Sequence, residues 1–324
     1  MQKKQSADPL AISRRTFIGG ALASGAFLLK GLSTFGSDSA AKTIICVFSK
    51  HLQWLPVAEI GRVAADLGFD GIDLTVRRGG HVEPERVVDD LPKAVETIRK
   101  AGLDVPMIVT DIIDPDDPLT EPLLKTAGQL GIKYYRTAYL KYNTNTDVLT
   151  DLARYAPQLH RLADINQKYG IRGAYQNHAG SNVGAAVWDL HILLKDIDPH
   201  WLGCQYDIKH AVAEGGMSWV NGLDVLKSRI GCLDIKDFVW AQKGDKWYNE
   251  EMPLGKGMVD FNKYFSLLKQ YGISGPMSLH FEYPLGGAES GKKQLSLDRN
   301  LVLAAMKRDL RKLRAMLAEA GMPK

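Results

Sequence analysis

Cysteine is scarce: Cys46, Cys204 and Cys232 are the only three in 324 residues, and none has CxxC spacing. That excludes a disulfide-stapled scaffold and a cysteine-rich zinc knot. Each lies in a β-rich run, where a buried thiol behaves as a small hydrophobe, so no disulfide is expected. A glycine-rich phosphate fingerprint is also missing after the first β-rich run, which argues against an open, doubly wound nucleotide-binding sheet. Low-complexity segments are absent, and nothing marks a second domain within the body of the chain. No stripe of lysine and arginine runs along it, so no nucleic-acid partner is expected.

The formal charge of +4 suggests a mildly basic protein until the N-terminus is set aside. Residues 1–41 hold five cations (Lys3, Lys4, Arg14, Arg15, Lys30) and two anions (Asp8, Asp38), and the rest carries 36 cations and 35 anions. The basicity belongs to that leader. Ser13-Arg14-Arg15-Thr16-Phe17-Ile18 precedes a weakly apolar run from Ile18 to Phe35, the arrangement of a twin-arginine signal peptide. Small residues at Ser39-Ala40-Ala41 offer a cleavage point, so residues 1–41 read as the signal and residues 42–324 as one mature domain. A membrane-spanning helix is the other reading; Lys30, the glycines and a length short of about 20 clean apolar residues count against it. The expectation is a periplasmic protein with the twin-arginine translocase as export partner, membrane-tethered if the leader stays on.

After the leader, β-rich runs alternate with amphipathic helical patterns eight times. The expected strands are Thr43–Phe48, Gly71–Val76, Val105–Thr110, Tyr134–Ala138, Gly173–His178, Leu202–Ile208, Ile230–Lys236 and Met277–Tyr283. Helical patterns run over Pro56–Leu67, Val87–Ala101, Pro122–Leu130, Val148–Tyr169, Phe261–Tyr271 and a closing Ser296–Gly321. Gly68, Gly102, Gly131, Gly170 and Gly272 stand where a helix hands over to a strand, a place that favours positive φ. Eight βα units predict an α/β fold of the (β/α)8 TIM barrel type.

Chemistry in such a barrel sits at the C-terminal ends of the strands, on inward side chains, and residues two apart share a face. That face collects Asp73 and Thr75 from the second strand, with Arg77 and His81 in its loop, then Thr110 and Arg136. The fifth strand adds Gln176 and His178; the sixth, Gln205 and Asp207, with His210 beyond. The seventh gives Cys232, Asp234 and Lys236, and the eighth Ser278, His280 and Glu282. Several carboxylates near one axis repel and resist desolvation, and a divalent cation is the simplest remedy. Asp234 is two residues from Lys236 on one face and has an ion pair with it as its structural alternative. His280, deeper than Glu282, reads as a core histidine, and Gln176 has a polar barrel filler as its alternative. Arg77, His81 and Arg136 suit either salt bridges or sugar hydroxyls. Trp54, Trp240 and Trp247 fall in loops after the first and seventh strands, where indoles stack on sugars or pack the rim.

Tyr175-Gln176-Asn177-His178, Asp207-Ile208-Lys209-His210, Asp234-Ile235-Lys236-Asp237, Gly255-Lys256-Gly257 and Glu282 follow one another in barrel order. Together they resemble the xylose isomerase-like barrel superfamily, which includes sugar phosphate isomerases and epimerases and endonuclease IV relatives. The resemblance spans the mature chain and is sharpest over residues 173–284. It implies one divalent metal held by Glu, Asp, His and Glu on successive strands, and a proton moved between adjacent carbons of a sugar. Position by position, Gln176, Asp207, Asp234 and Glu282 stand at the four metal places and His210 at a substrate-contacting histidine. Gln176 replaces a glutamate and Asp234 a histidine. The set becomes all oxygen, and Mn2+ or Mg2+ is expected over Zn2+.

The expected activity is a metal-assisted sugar isomerase, epimerase or related keto-sugar lyase acting on a small carbohydrate. Glu282 or His210 would be the base and Lys236 would steady the developing oxyanion; His178, Arg136, Arg77, His81 and Trp240 would contact substrate. With an amide at 176, a one-base or elimination route is favoured over a symmetric two-base epimerisation. A carbohydrate-binding barrel without catalysis is the alternative, and an endonuclease IV-like phosphodiesterase, which needs a His-rich zinc cluster, a more distant one. Oligomeric state is left open.

Overall fold

The strands form where β-branched and aliphatic runs are short, and they are buried on both faces, as a parallel sheet jacketed by helices requires. The computed structural model describes residues 43–322. Its strands are β1 (Ile45–Phe48), β2 (Gly71–Val76), β3 (Asp104–Thr110), β4 (Tyr134–Arg136), β5 (Arg172–Gln176), β6 (Leu202–Asp207) and β7 (Ile230–Ile235), then β8 (Asp237–Lys243), β9 (Lys246–Met252) and β10 (Met277–Leu279). Seven of them and β10 close into a parallel barrel in the order β1-β2-β3-β4-β5-β6-β7-β10, with β10 returning to β1. The fold class is as the sequence predicts. The leader, residues 1–41, lies outside the described residues.

Nine helices are described: α1 (Val57–Leu67), α2 (Val87–Lys100), α3 (Thr120–Gln129), α4 (Val148–Tyr169), α5 (Val187–Leu194), α6 (Ile208–Gly215), α7 (Trp219–Leu226), α8 (Phe261–Tyr271) and α9 (Arg299–Glu319). Where α1 and α4 end, Gly68 (φ 98°) and Gly170 (φ 65°) adopt the left-handed turn that stops a helix without a Cβ penalty. None of the described helices is long and apolar enough to cross a membrane.

Alternation sorts the strand residues. Ile72, Leu74 and Val76 of β2 face the helices, while Asp73 points across the barrel to Ser278. The interior is plugged by Met107, Ala174 and Cys232 from the alternate strands β3, β5 and β7, the layering of a filled barrel. All three cysteines are free and buried.

Two parts differ from the sequence reading. β4 and β10 are shorter than expected, yet Thr137 and His280 still donate to Ala174 O (3.1 Å) and Ile235 O (3.0 Å), so the chain leaves the ladder gradually at the rim. Between β7 and α8, β8 and β9 form an antiparallel hairpin where a loop was expected. Asp237 anchors its base. Its carboxylate accepts the backbone N–H groups of Gly255 (3.0 Å), Gly257 (2.8 Å) and Val259 (3.2 Å). A Cβ on Gly257 would lie 2.2 Å from Asp237 Oδ1, which explains a glycine there.

Candidate active site at the barrel mouth

Asp207 closes β6 and is also the N-cap of α6, its Oδ1 accepting the His210 N–H at 3.2 Å. A capping carboxylate satisfies a free donor of the first helical turn, and that turn swings the third residue back over the cap. His210 Nε2 therefore lies 3.6 Å from Asp207 Oδ2. The pairing of these two residues is a consequence of cap geometry. His178, just beyond β5, lays its ring against His210 with centroids 3.9 Å apart.

Lys236, one residue past β7, sits between two acids: its Nζ is 3.1 Å from Asp207 Oδ2 and 3.0 Å from Glu282 Oε2. The other oxygen of Glu282 meets Lys50 Nζ at 2.8 Å. Lys50 lies in a 3-10 turn (Ser49–Leu52) that follows β1 directly. Gln176, the last residue of β5, accepts at Oε1 from Arg136 Nη1 (3.1 Å) and from the Tyr139 hydroxyl. A guanidinium can only donate, so the amide must turn its Nε2 to the acids. Nε2 donates to Asp207 Oδ2 (2.9 Å) and Asp234 Oδ2 (2.6 Å), and Gln205 Nε2 donates to Asp234 Oδ1 (2.6 Å).

Burial opposes the charge on Glu282, but Lys236 and Lys50 outweigh it and hold the carboxyl well below its usual range. Burial likewise opposes the Lys236 ammonium, and Asp207 and Glu282 win, so it grips its proton more tightly than a free lysine. Burial, reinforced by Lys236, pushes His210 well below the usual imidazole value, and the ring is neutral near neutral pH. Neither of its nitrogens has a hydrogen-bond partner.

A second layer lies deeper. Asp73 accepts from Ser278 Oγ at 2.7 Å through Oδ2, while its Oδ1 accepts nothing. Burial, with Asp234 adding to it, pushes Asp73 up to about 7. Asp234 is pushed up by burial to about 6, against the pull of Arg136 and Lys236. Two sets of side chains come close enough to hold a metal ion, each with donor atoms within 4.8 Å of one another: Asp73, Asp234 and His280, and His51, His280 and Glu282. In the second set His51 is already engaged, Nδ1 with Ala288 O (3.1 Å) and Nε2 with the Phe281 N–H (3.0 Å).

Gln176, Asp207, Asp234 and Glu282 do converge, but as placed they do not fit an ion among them. The Lys236 ammonium stands between Asp207 and Glu282, and Gln176 offers the acids its N–H face rather than its oxygen. Lys50, Lys236 and Arg136 already oppose the three carboxylates of that ring.

A family model described as "Xylose isomerase-like TIM barrel" matches residues 62–299. The chain belongs to the xylose isomerase-like TIM barrel family. Among solved structures, this family member is similar to a 3-keto-D-glucoside 4-epimerase from E. coli (14% identity, 85% of this chain and 100% of that one, TM-score 0.62). It is similar too to a D-allulose 3-epimerase from Methylomonas sp. (18%, 85% and 98%, TM-score 0.62). A third likeness is to a probable 3-DHS dehydratase from Bacillus anthracis (13%, 84% and 98%, TM-score 0.63). At these identities the likeness is one of fold. No curated protein matches the sequence.

Within this barrel, His178, Arg136, Lys236, His210, Asp207, Asp234, Gln176 and Glu282 are brought together as the sequence reading grouped them. The Asp234–Lys236 ion pair, the structural alternative for Asp234, is not made; Lys236 turns to Asp207 and Glu282 on flanking strands instead. Arg77 is half-buried, its guanidinium 5.7 Å from the Phe48 ring centroid. His81 is tied back to its own strand, with Nδ1 3.1 Å from Thr75 Oγ1. Trp240 is exposed on the hairpin, packed edge-on to Phe238. Lys50 and Tyr139 are the residues the sequence reading missed. The polar run Ser49-Lys50-His51 at the end of β1 was the available signal for the first.

Proposed function

We propose that the chain is a sugar-modifying enzyme that removes a proton from a carbon next to a carbonyl, with His210 as base and Lys236 as the fixed positive charge. The observation that carries this is the Lys236 ammonium clamped between Asp207 (3.1 Å) and Glu282 (3.0 Å), beside a neutral, unpartnered His210. A neutral imidazole accepts the C–H proton, and an immobilised ammonium stabilises the enediolate oxygen that forms. Glu282 is the less available base, because both its oxygens are engaged by lysines while the nitrogens of His210 are free of partners. Proton return to the neighbouring carbon gives isomerisation, and return to the opposite face gives epimerisation. Loss of a β-substituent gives elimination. Lys50, Arg77, Tyr139 and His178, half-buried at the rim, are the donors that face an incoming sugar. The solved relatives named above as epimerases and a dehydratase support this class of chemistry.

Mn2+ or Mg2+ on the ring of Gln176, Asp207, Asp234 and Glu282 is not part of this reading, since Lys236 supplies the charge there. Export by the twin-arginine route is part of it. Ser13-Arg14-Arg15-Thr16-Phe17-Ile18 supports a periplasmic site of action, where a free sugar rather than a sugar phosphate would be the substrate. Replacing Arg14 and Arg15 by lysine and fractionating the cells tests it: the protein should stay in the cytoplasm.

A non-catalytic sugar-binding barrel is the second reading, favoured by the self-satisfied ring, in which Asp207, Asp234, Lys236 and His210 are at most 3% exposed. One experiment separates the two. The protein is incubated in deuterated water with free and 3-keto sugars, and deuterium entering the carbon beside the carbonyl is followed. Exchange that falls about 100-fold or more in His210→Asn and Lys236→Met supports the enzyme. Sugar binding without exchange supports the binder, and full exchange in both variants removes the proposed roles.

A further inference from the structure

The β8–β9 hairpin carries an inference that rests on the sugar chemistry proposed above and names the kind of sugar. Its strands pair Phe238 with Glu251, Trp240 with Asn249 and Gln242 with Trp247, and alternation puts these residues on one face. Val239, Ala241 and Lys243, with Glu250, Tyr248 and Lys246, form the other. The first face starts beside the reacting ring. Phe238 is buried, with Lys209 Nζ 5.4 Å from its ring centroid and 2.8 Å from Glu251 Oε1. Lys209 follows closely on Asp207 in the chain, and the charges of Lys236 and Glu282 both bear on the Glu251 carboxyl. Trp240 packs edge-on to Phe238 (centroids 6.1 Å apart), and from there the face is open: Trp240 is 43% and Trp247 63% exposed.

Beyond Glu251 this face bears no charge, only two indoles and two amides, whereas the other carries Lys243, Lys246 and Glu250. An indole stacks on the C–H side of a sugar ring and an amide bonds to hydroxyls, so the pattern suits a neutral saccharide. Trp240 and Trp247 are diagonal neighbours with backbones about 7–8 Å apart, which leaves room for a ring against each. The open part, from Trp240 outward, covers on the order of 150 Å2. A stable protein interface needs about 800 Å2 per partner, so the area fits a sugar and falls short of a second copy of the chain. We propose that this hairpin face is a second sugar subsite and that the substrate is a neutral glycoside. Its reacting sugar enters the ring of Lys236 and His210, while the sugar unit linked to it stacks on Trp240, with Trp247 as the outer wall.

The test compares 3-ketoglucose with its disaccharides, 3-ketomaltose and 3-ketocellobiose, by calorimetry on the full-length protein. Wild type should bind one disaccharide at least about fivefold more tightly than the monosaccharide. Trp240→Ala and Trp247→Ala should each lower that preference about twofold or more, and together abolish it. Tyr248→Ala, on the opposite face, should keep it. A merely structural lesion would weaken both ligands alike and leave the ratio unchanged. Circular dichroism identifies any variant that does not fold, and Trp247, the more exposed, carries the test if Trp240→Ala fails. The proposal is overturned by no disaccharide binding at about 10 mM, by equal binding of mono- and disaccharide in the wild type, or by a ratio unchanged in the tryptophan variants. Loss of a dimer on size exclusion in Trp247→Ala also overturns it, since the face would then join two copies. Binding is read without turnover, so the two readings fail separately. A disaccharide held by the indoles that exchanges no deuterium strikes the activity and keeps the subsite, and exchange without a disaccharide preference does the reverse.

Discussion

Glu282 at the mouth and Asp73 below it are both acids on the barrel axis, yet they are held in opposite states. Glu282 has Lys236 at 3.0 Å and Lys50 at 2.8 Å and keeps its charge far into the acid range. Asp73 has a serine hydroxyl, no lysine contact and another carboxylate nearby, and burial pushes it up to about 7. Burial is common to both; the difference is the cation placed within hydrogen-bond reach. Carboxylates of one barrel can thus serve as a charged frame or as a proton trap, according to a lysine supplied by a neighbouring strand.

Lys236→Met breaks the comparison hardest. It leaves the buried Asp207 without its ammonium, with half-buried Glu282 held only by Lys50, and breaking a buried pair costs about 3–5 kcal/mol. Chemical denaturation should show that loss together with collapse of turnover. His210→Asn separates catalysis from stability: activity should fall about 100- to 10,000-fold. The melting temperature should fall far less than in Lys236→Met, because neither nitrogen of His210 has a hydrogen bond to lose and only its ring packing on His178 is disturbed.

Asp73→Asn probes the lower layer through pH. A carboxyl raised from 3.8 to about 7 in the folded protein binds its proton more tightly there than when unfolded. Its contribution to stability is complete below about pH 4 and is lost as pH rises through about 7. Metal-free Asp73→Asn, neutral throughout, should lack that part of the decline in denaturation midpoint. Lys50→Met is the mildest change, and its sign is opposite. Glu282 is depressed, so it stabilises above its unfolded value of about 4.5 and stops doing so as pH falls through the folded one. Removing Lys50 raises the folded value, and the acid limb of both stability and turnover should move to higher pH.

The barrel was legible because its signals are local and repeated. Glycines at 68, 102, 131, 170 and 272 all adopt positive φ, as their place between helix and strand predicted. Asp207 and His210 were legible from strand alternation and the Asp207-Ile208-Lys209-His210 run, whereas the cap that pairs them appears only in the structure. The partner of Lys236 was not. Asp234 and Lys236 share a strand face, but residues two apart are about 7 Å apart along a strand, and the acids on flanking strands lie nearer. The β8–β9 hairpin was missed, although Gly244-Asp245 between Lys243 and Lys246 is a hairpin-turn signal. Lys50 was missed because a short 3-10 turn after β1, rather than the strand, delivers it to Glu282.

The account rests on Lys236 being the positive charge of the reacting site. The most direct measurement is the deuterium exchange of a sugar substrate by chelator-treated wild-type protein, compared with Lys236→Met supplied with Mn2+. Exchange should persist in the chelated wild type and be absent from the variant whatever metal is added. Exchange that vanishes on chelation and returns with Mn2+, in the variant as in the wild type, would contradict the account.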